Sequence, residues 1–215
     1  MLFSWKKEAE RVPTRARIGR RPGQSARERQ EDLRQVAPIK TWFTRLLGMK
    51  TEEWAWGRGA AGEEYVGALL EPLREQGWSI EHDVKIGSRG ANIDHVLVGP
   101  PGVIVLNTKY VGGNVWVAGP HLRINGQPTD YVEKAEAEAK RVREKLMVAT
   151  RRSALWVQAV LVFVKPALTV KFQPRNVAVV TDEMLVPLLR QQPRKLGPYE
   201  LEELVRAVRR EETWE

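Results

Sequence analysis

Three polar side chains interrupt two apolar, strand-like segments that flank a Gly-Pro-Pro-Gly corner at residues 99–102. Asp94 lies before the corner, and Asn107 and Lys109 lie after it. If the corner forms a hairpin loop, Asp94 pairs directly opposite Asn107 and lies diagonal to Lys109. Directly opposed side chains share a face of a sheet, as do side chains two residues apart. The sequence therefore predicts a carboxylate, an amide and an ammonium group together on one face.

Such a cluster suits chemistry on phosphate esters. Carboxylate and amide oxygens are the hard donors that Mg²⁺ prefers, and an adjacent lysine can orient water or neutralise developing phosphate charge. The residues alone leave a second interpretation open. In it, Asp94 and Lys109 form an ion pair at the end of a sheet, and Asn107 fills the space between them by hydrogen bonding.

A second acid, Glu63, lies on the predicted core-facing side of a helix. Residues 60–74 have the apolar spacing of a helix, and Glu63 precedes Val66 by three positions and Leu70 by seven. Glu64 instead falls on the solvent side of this helix. A glutamate in a first turn also interacts favourably with the helix dipole, but that explanation applies equally to Glu64. We therefore expect Glu63 to project into the same cleft as the hairpin cluster.

The remaining pattern predicts an α/β fold. A helix precedes three or more strands with hairpins, and a second helix, two strands and terminal helices follow. We expect a mixed β-sheet flanked by helices. The predicted organisation is a basic, flexible arm with a short apolar docking segment, a central domain and C-terminal helices that pack on the domain, over residues 1–50, 57–182 and 183–215.

Composition narrows the class of partner. The chain has 215 residues, no cysteine and a formal net charge of +8. The absence of cysteine excludes disulfides and thiolate metal sites. The positive net charge favours polyanionic partners such as nucleic acid. No apolar run approaches the ~18 residues of a membrane span. The N-terminus lacks the pattern of a signal peptide, which predicts a cytoplasmic location. The sequence indicates no oligomeric state.

Arginines of the N-terminal arm are candidates for sequence-independent phosphate contacts, with a solvated tail as the alternative. Tryptophans are candidates for stacking on bases, although packing in the core or at an edge of the fold is the more ordinary role for each of them. The arginine candidates, with one from the central domain, are Arg15, Arg17, Arg20, Arg21 and Arg58. The tryptophan candidates are Trp5, Trp42, Trp54, Trp56 and Trp116, of which Trp54 and Trp56 lie beside Arg58.

Two stretches of this chain resemble the NERD family, the nuclease-related domain. They read GEEYVGALL and HDVKIGSRGANIDHVLVGPPGVIVLNTKYVGGNVWV. The resemblance covers roughly residues 59–181 and is densest in the first half. That family is similar to the PD-(D/E)XK nucleases, whose core has the order α-β-β-β-α-β around a mixed sheet, and the element order predicted above is compatible with it.

The resemblance implies a role for each cluster residue. Glu63 resembles the acid of the family's helix, Asp94 the metal-binding aspartate, and Lys109 the catalytic lysine. The backbone carbonyl of Thr108 would be a further metal ligand. Asn107 stands where such nucleases have Glu or Asp. In this chain the candidate catalytic residue and metal ligand at that position is therefore an amide.

The amide at residue 107 leaves three functions open. An Mg²⁺- or Mn²⁺-dependent DNA nuclease is the first, with metal binding weakened because Asn107 carries no negative charge. A nucleic-acid-binding module that has lost catalysis is the second, and a protein-interaction domain is the third. A further motif in the second helix is not evident, and Glu133 and Lys134 lie in about that region.

Overall fold

The structure is a computed structural model that describes residues 19–36, 52–87 and 91–215. Its helices are α1 (Gln24–Val36), α2 (Glu52–Leu70), α3 (Tyr131–Thr150), α4 (Asp182–Gln191) and α5 (Pro198–Val208), with short 3-10 helices at Glu71–Gln76 and Glu211–Thr213. Its strands are β1 (Ser79–Ile86), β2 (Ala91–Gly99), β3 (Gly102–Lys109), β4 (Asn114–Ala118), β5 (His121–Ile124), β6 (Gln127–Thr129), β7 (Val157–Phe163), β8 (Ala167–Phe172) and β9 (Val177–Thr181).

The strands form two sheets. The central sheet has the order β1-β2-β3-β7-β9, with antiparallel pairs up to β3 and parallel pairs beyond it. The small sheet has the order β6-β5-β4-β8. Along the chain, α2, β1, β2, β3, α3 and β7 give the α-β-β-β-α-β order, so the predicted mixed sheet with flanking helices is confirmed. No helix among the described residues is long and apolar enough to cross a bilayer.

The Gly-Pro-Pro-Gly corner sets the register of the β2–β3 hairpin as predicted. The pairing runs from Gly99 opposite Gly102 to His95 opposite Leu106. Strict alternation does not continue beyond that point. Ile93 should share a face with His95 but packs in the hydrophobic cluster on the other side of the sheet. The side chains of β2 therefore change faces at Asp94, beside Asp83 on the neighbouring strand, which has a positive φ of 50°.

Apolar side chains cover both faces of the central sheet. On one face, α3, α5 and the small sheet pack through Val142, Leu204 and Val117. On the other face, α2 and α4 pack through Leu70 and Leu185. Strand β7 lies between β3 and β9, and its long apolar run is covered on both faces, as is typical of a central strand.

The N-terminal region differs from the predicted flexible arm over part of its length. Residues 24–36 form α1, which lies against α2 with Ala26 buried at their contact. The bidentate ion pair of Arg27 with Glu64, at 2.8 and 2.9 Å, also joins the two helices. The apolar docking segment predicted near residue 42 lies outside the described residues.

Gly62 allows α2 to approach β3 closely. A Cβ atom at this position would lie 2.9 Å from Cβ of Tyr110 and 3.4 Å from a methyl group of Thr108. Real carbon atoms do not come that close, so only glycine permits this helix-to-strand distance. The close approach brings the next residue, Glu63, against the end of β3.

Substitution of Gly62 and Gly59 by alanine should have opposite effects on stability. A Cβ at Gly59 meets nothing within 4 Å, so Gly59→Ala should raise the free energy of unfolding by up to about 1 kcal/mol through helix propensity. Gly62→Ala should lower it by about 1–3 kcal/mol because of overpacking against β3. Urea unfolding midpoints measure both changes. Equal stabilisation by the two substitutions would contradict the close approach of α2 to β3.

Candidate active site

One cavity of about 760 Å³ is lined by most of the predicted catalytic and metal-binding residues. Glu63 from α2, Asp94 from β2, and Thr108 and Lys109 from β3 all line it. Arg58, predicted to bind nucleic acid, also lines it. The cavity opens at the end of the β2–β3 hairpin that lies away from the Gly-Pro-Pro-Gly corner, where α2 crosses the sheet.

Asp94 occupies the point at which the β2–β3 ladder ends. Its Oδ2 accepts a hydrogen bond of 2.6 Å from the backbone N–H of Thr108, which fixes the carboxylate against β3. Burial raises the pKa of Asp94, while the charge of Lys109 and the Thr108 N–H act in the opposite direction. The side chain is therefore a buried acid with a single cation facing it from β3.

Glu63 is buried, with 8% of its surface exposed, as its helical phase predicts. Its Oε2 finds no hydrogen-bond partner among the residues that the structure describes. Burial, and then the charges of Asp94 and Asp83, raise its pKa to about 9. Lys109 and a backbone hydrogen bond from Gly23 act in the opposite direction. A buried carboxylate with an unpaired oxygen, close to a second buried acid, is a place where a cation would bind.

Lys109 does not extend into bulk solvent. Its Nζ lies 4.8 Å from the centre of the Tyr131 ring, at the start of α3, and the residue is half-buried. The ammonium acts electrostatically on Asp94, Glu63 and Glu138. Contact with an aromatic face holds the cation at the cavity edge and leaves its charge directed at the acids.

The structure places Asn107 differently from the prediction. Its side chain contacts Glu138 of α3, with Nδ2 donating to both carboxylate oxygens at 3.0 and 3.3 Å, and it is not among the residues that line the cavity. The paired strands end one residue pair earlier, at His95 and Leu106, so Asn107 is not held opposite Asp94. Its Oδ1 is buried without a hydrogen-bond partner in the described part of the chain.

Glu138 is the acid that the sequence analysis missed. Burial raises its pKa, the Asn107 amide lowers it, and the charge of Asp94 raises it, so Glu138 lies within electrostatic reach of the cavity acids. Its spacing gave a signal, because it follows Ala135 by three residues and precedes Val142 by four, and both are buried. The same phase argument identified Glu63. The candidates of this region, Glu133 and Lys134, are both exposed.

Helix α1 forms one wall of the cavity and is held by a buried aspartate. Asp83 is fully buried and accepts hydrogen bonds from the Arg20 guanidinium, from the Ser25 backbone and hydroxyl at 3.1 and 2.9 Å, and from the Asn92 amide at 2.7 Å. Ser25, Ala26, Glu28, Arg29 and Asp32 of α1 then line the cavity. These hydrogen bonds from Arg20 and Ser25 to Asp83 explain how the polar helix α1 is held in place.

The arginines predicted to contact nucleic acid lie in different parts of the molecule. Arg15 and Arg17 lie outside the described residues. Arg20 differs from the prediction, because its guanidinium is engaged by Asp83 and by Glu28 at 3.0 Å and serves to anchor α1. Arg21 is exposed next to it. The Arg58 guanidinium lies 4.6 Å from the centre of the Tyr110 ring at the cavity wall.

The donors at the cavity fit Mg²⁺. No group of three or more His, Asp and Glu side chains that could hold a metal ion is found in the described ranges. Mg²⁺ does not require such a group, because it usually binds through one or two carboxylates and retains waters or takes phosphate oxygens. Glu63 and Asp94 supply two carboxylates, and the Thr108 carbonyl on β3 is a third hard oxygen at the cavity. The unpaired Oε2 of Glu63 supports this fit.

The pH dependence of stability of the metal-free protein should depend on Glu63 between pH 4.5 and about pH 9. A carboxyl with a pKa of about 9, against an ordinary value of 4.5, keeps a proton that the unfolded chain has released. The folded state binds more protons across that window, so the free energy of unfolding should fall as pH rises. Glu63→Gln should remove much of this fall, and the exposed Glu64→Gln should retain it. Urea midpoints in EDTA at about pH 5 and about pH 8.5 test this, and equal losses in parent and Glu63→Gln would refute it.

A double-mutant cycle should detect the contact of Asn107 with Glu138. Asn107→Asp places a carboxylate against that of Glu138, so the metal-free protein should lose about 1–3 kcal/mol of stability at neutral pH. Adding Glu138→Gln should supply an amide donor to the new carboxylate at residue 107 and restore most of the lost stability. The coupling free energy between the two substitutions should be about 0.5–3 kcal/mol. Adding Glu133→Gln, on the exposed side of α3, should restore nothing. Equal effects of the two glutamine substitutions would contradict the observed contact.

Comparison with known proteins identifies the segment that carries this cavity. The family model described as nuclease-related domain matches residues 58–164. The matched residues include Glu63, Asp94, Thr108, Lys109 and Glu138, whereas α1 lies before them. No curated protein and no solved structure gave a significant match to the chain. Through residues 58–164, this chain belongs to the nuclease-related domain (NERD) family.

Proposed function

We propose that this protein is a Mg²⁺-dependent nuclease that hydrolyses phosphodiester bonds of DNA. The observation that carries the proposal is the pair of buried acids, Glu63 and Asp94, which line one cavity with Lys109 and leave a carboxylate oxygen unpaired. Membership of the nuclease-related domain family supports a nuclease-related role for the same segment. The metal requirement, the hydrolytic reaction and the DNA substrate are the parts that we propose.

Glu63, Asp94 and the Thr108 carbonyl would hold the ion. A divalent cation bound there supplies positive charge that polarises the phosphate and acidifies water at neutral pH. The fold orients Asp94 for this role, because the Thr108 N–H fixes one carboxylate oxygen of Asp94 and so sets the direction of the other. Glu63 would lose the proton that its raised pKa retains in the metal-free protein.

Lys109 would act on the phosphate. Hydrolysis joins a water oxygen to phosphorus and breaks one ester bond, and negative charge builds up on the phosphoryl oxygens during the exchange. An ammonium group held against the Tyr131 ring can neutralise that charge and can donate a proton to the departing oxygen. Because the cavity edge holds this ammonium in place, little reorganisation is needed during the reaction.

Basic side chains at the cavity would receive the DNA backbone. Arg29, Arg58 and Lys85 line the cavity together with Lys109, and the whole chain carries a net charge of +8. Arginine and lysine contacts to phosphate bind without reading sequence and weaken steeply with salt. The cavity of about 760 Å³ also has room for a phosphodiester segment beside the acids.

A binding module without catalysis is the second candidate, and the Asn107–Glu138 contact favours it. The residue that nucleases of similar pattern use as an acid is an amide here, and its Nδ2 is engaged with Glu138. If two carboxylates do not retain the ion, the basic cavity would still bind nucleic acid. The two candidates differ in metal-dependent cleavage.

Cleavage of circular and linear DNA in Mg²⁺, in Mn²⁺ and in EDTA tests the proposal. The parent protein should cut in either metal and not in EDTA. Asp94→Asn and Lys109→Met should each lower the rate about a hundredfold or more, because each removes charge from the reacting centre. Glu202→Gln and Lys140→Met are matched controls on the exposed surface and should keep the parent rate.

Two results would contradict the proposal that the protein hydrolyses DNA at this cavity. One is DNA binding without cleavage in either metal, which would support the binding module. The other is cleavage that survives both Asp94→Asn and Lys109→Met, which would place the reaction elsewhere or in a contaminant. Cleavage of RNA but not of DNA would retain the catalytic cavity and change the substrate.

A further inference from the structure

The outer face of the small sheet carries exposed aromatic side chains. Val115, Val117 and Leu122 point inward and are buried against the core, so Trp116 and Arg123 point outward. Trp116 is 37% exposed, and the Arg123 guanidinium lies 6.0 Å from the centre of its ring. Alternation therefore gives this sheet an apolar face toward α3 and an aromatic face toward solvent.

A second aromatic ring extends this face. Phe172 of β8 is 63% exposed and pairs with Ala118, two residues beyond Trp116 on β4. The pairing shifts by one residue at this point, and the ring lies over the β4–β5 turn, 3.2 Å from where a Cβ of Gly119 would be. Large apolar side chains at this exposure on neighbouring strands are typical of a binding surface.

The small sheet carries no carboxylate. No Asp or Glu occurs between Asp94 and Asp130, nor between Glu144 and Asp182, and all four strands of the sheet fall within these two segments. The chain nevertheless has 27 acidic residues. Arg123 and Lys171, both exposed, supply the charge of the face. A ligand with aromatic groups and negative charge fits this combination.

The face adjoins the candidate active site. Gly112 lines the cavity, and β4 begins two residues later at Asn114. The side chain of Asn125, next to the end of β5, donates to the Gly112 carbonyl at 3.2 Å and accepts from the Asn114 N–H at 2.9 Å. These bonds tie the β4–β5 hairpin to the cavity wall, so a chain bound along β4 would lead into the cavity.

We propose that the outer face of the small sheet binds an unpaired strand of nucleic acid, with bases stacked on Trp116 and Phe172 and phosphates on Arg123 and Lys171. The inference rests on the proposed nucleic-acid substrate and specifies its form next to the cavity. Stacking requires bases that are free of a partner strand, whereas basic side chains alone do not distinguish a single strand from a duplex. The site would therefore favour single-stranded segments or frayed ends.

Binding of a fluorescein-labelled oligothymidylate of about 15 nucleotides, measured by anisotropy in EDTA, tests the proposal without cleavage. Trp116→Ala should weaken binding by about 5- to 100-fold, the range for removal of one stacking platform, and Trp116→Phe should restore most of it. Binding to a duplex of equal length should change by less than about twofold. Arg123→Gln should lower the slope of log affinity against log salt by about 0.7 for each phosphate that the arginine neutralises in the parent protein.

Trp156→Ala is the matched control, because Trp156 is exposed and lies just before β7, at the end of the central sheet away from Lys109. It should bind oligothymidylate as the parent does. Unchanged binding by Trp116→Ala, or an equal loss for single strand and duplex, would overturn the strand site and leave the face for a protein partner. Because this readout needs no metal, the strand site can fail while Asp94-dependent cleavage stands. It can equally hold while cleavage is absent.

Discussion

The burial of three acidic side chains at one corner of the central sheet is the constraint around which this molecule is arranged. Asp83, Asp94 and Glu63 influence one another electrostatically, and all three are withdrawn from water. A buried carboxylate is costly unless it is paired or hydrogen-bonded. Asp83 is satisfied by Arg20, Ser25 and Asn92. Asp94 has the Thr108 N–H and the nearby Lys109, whereas Glu63 retains an unpaired oxygen. The incomplete pairing of these buried acids, with a Glu63 proton that an ion could replace, is the physical basis for expecting a cation.

The anchoring of α1 shows how the chain adds to its family domain. The nuclease-related domain match begins at residue 58, whereas Arg20 and α1 lie well before it. Asp83, inside the matched segment, receives Arg20 and Ser25 from outside it. The wall that α1 gives to the cavity is therefore built by residues beyond the match. Such a wall can limit access to the acids without altering the acids themselves.

Local patterns predicted much of the fold and part of the site. The corner at residues 99–102 set the hairpin register, and helical phase placed Glu63 inward, because both depend on neighbours in sequence. Helix α1 was missed because its order depends on Asp83, about 60 residues away, and not on an apolar stripe. Strict alternation failed at Asp94, where the side chains change faces beside the positive φ of Asp83. Strand β8 was missed because its inward residues, Leu168 and Val170, are only partly buried.

Calorimetric titration of the metal-free protein with Mg²⁺ or Mn²⁺ near neutral pH, in two buffers of different ionisation enthalpy, tests the central claim most directly. The buried pair of acids predicts that binding releases close to one proton per ion, because Glu63, with a pKa of about 9, must give up its proton to become a ligand. Asp94→Asn should abolish the heat of binding. No binding at millimolar ion, or binding with no proton released, would contradict the account.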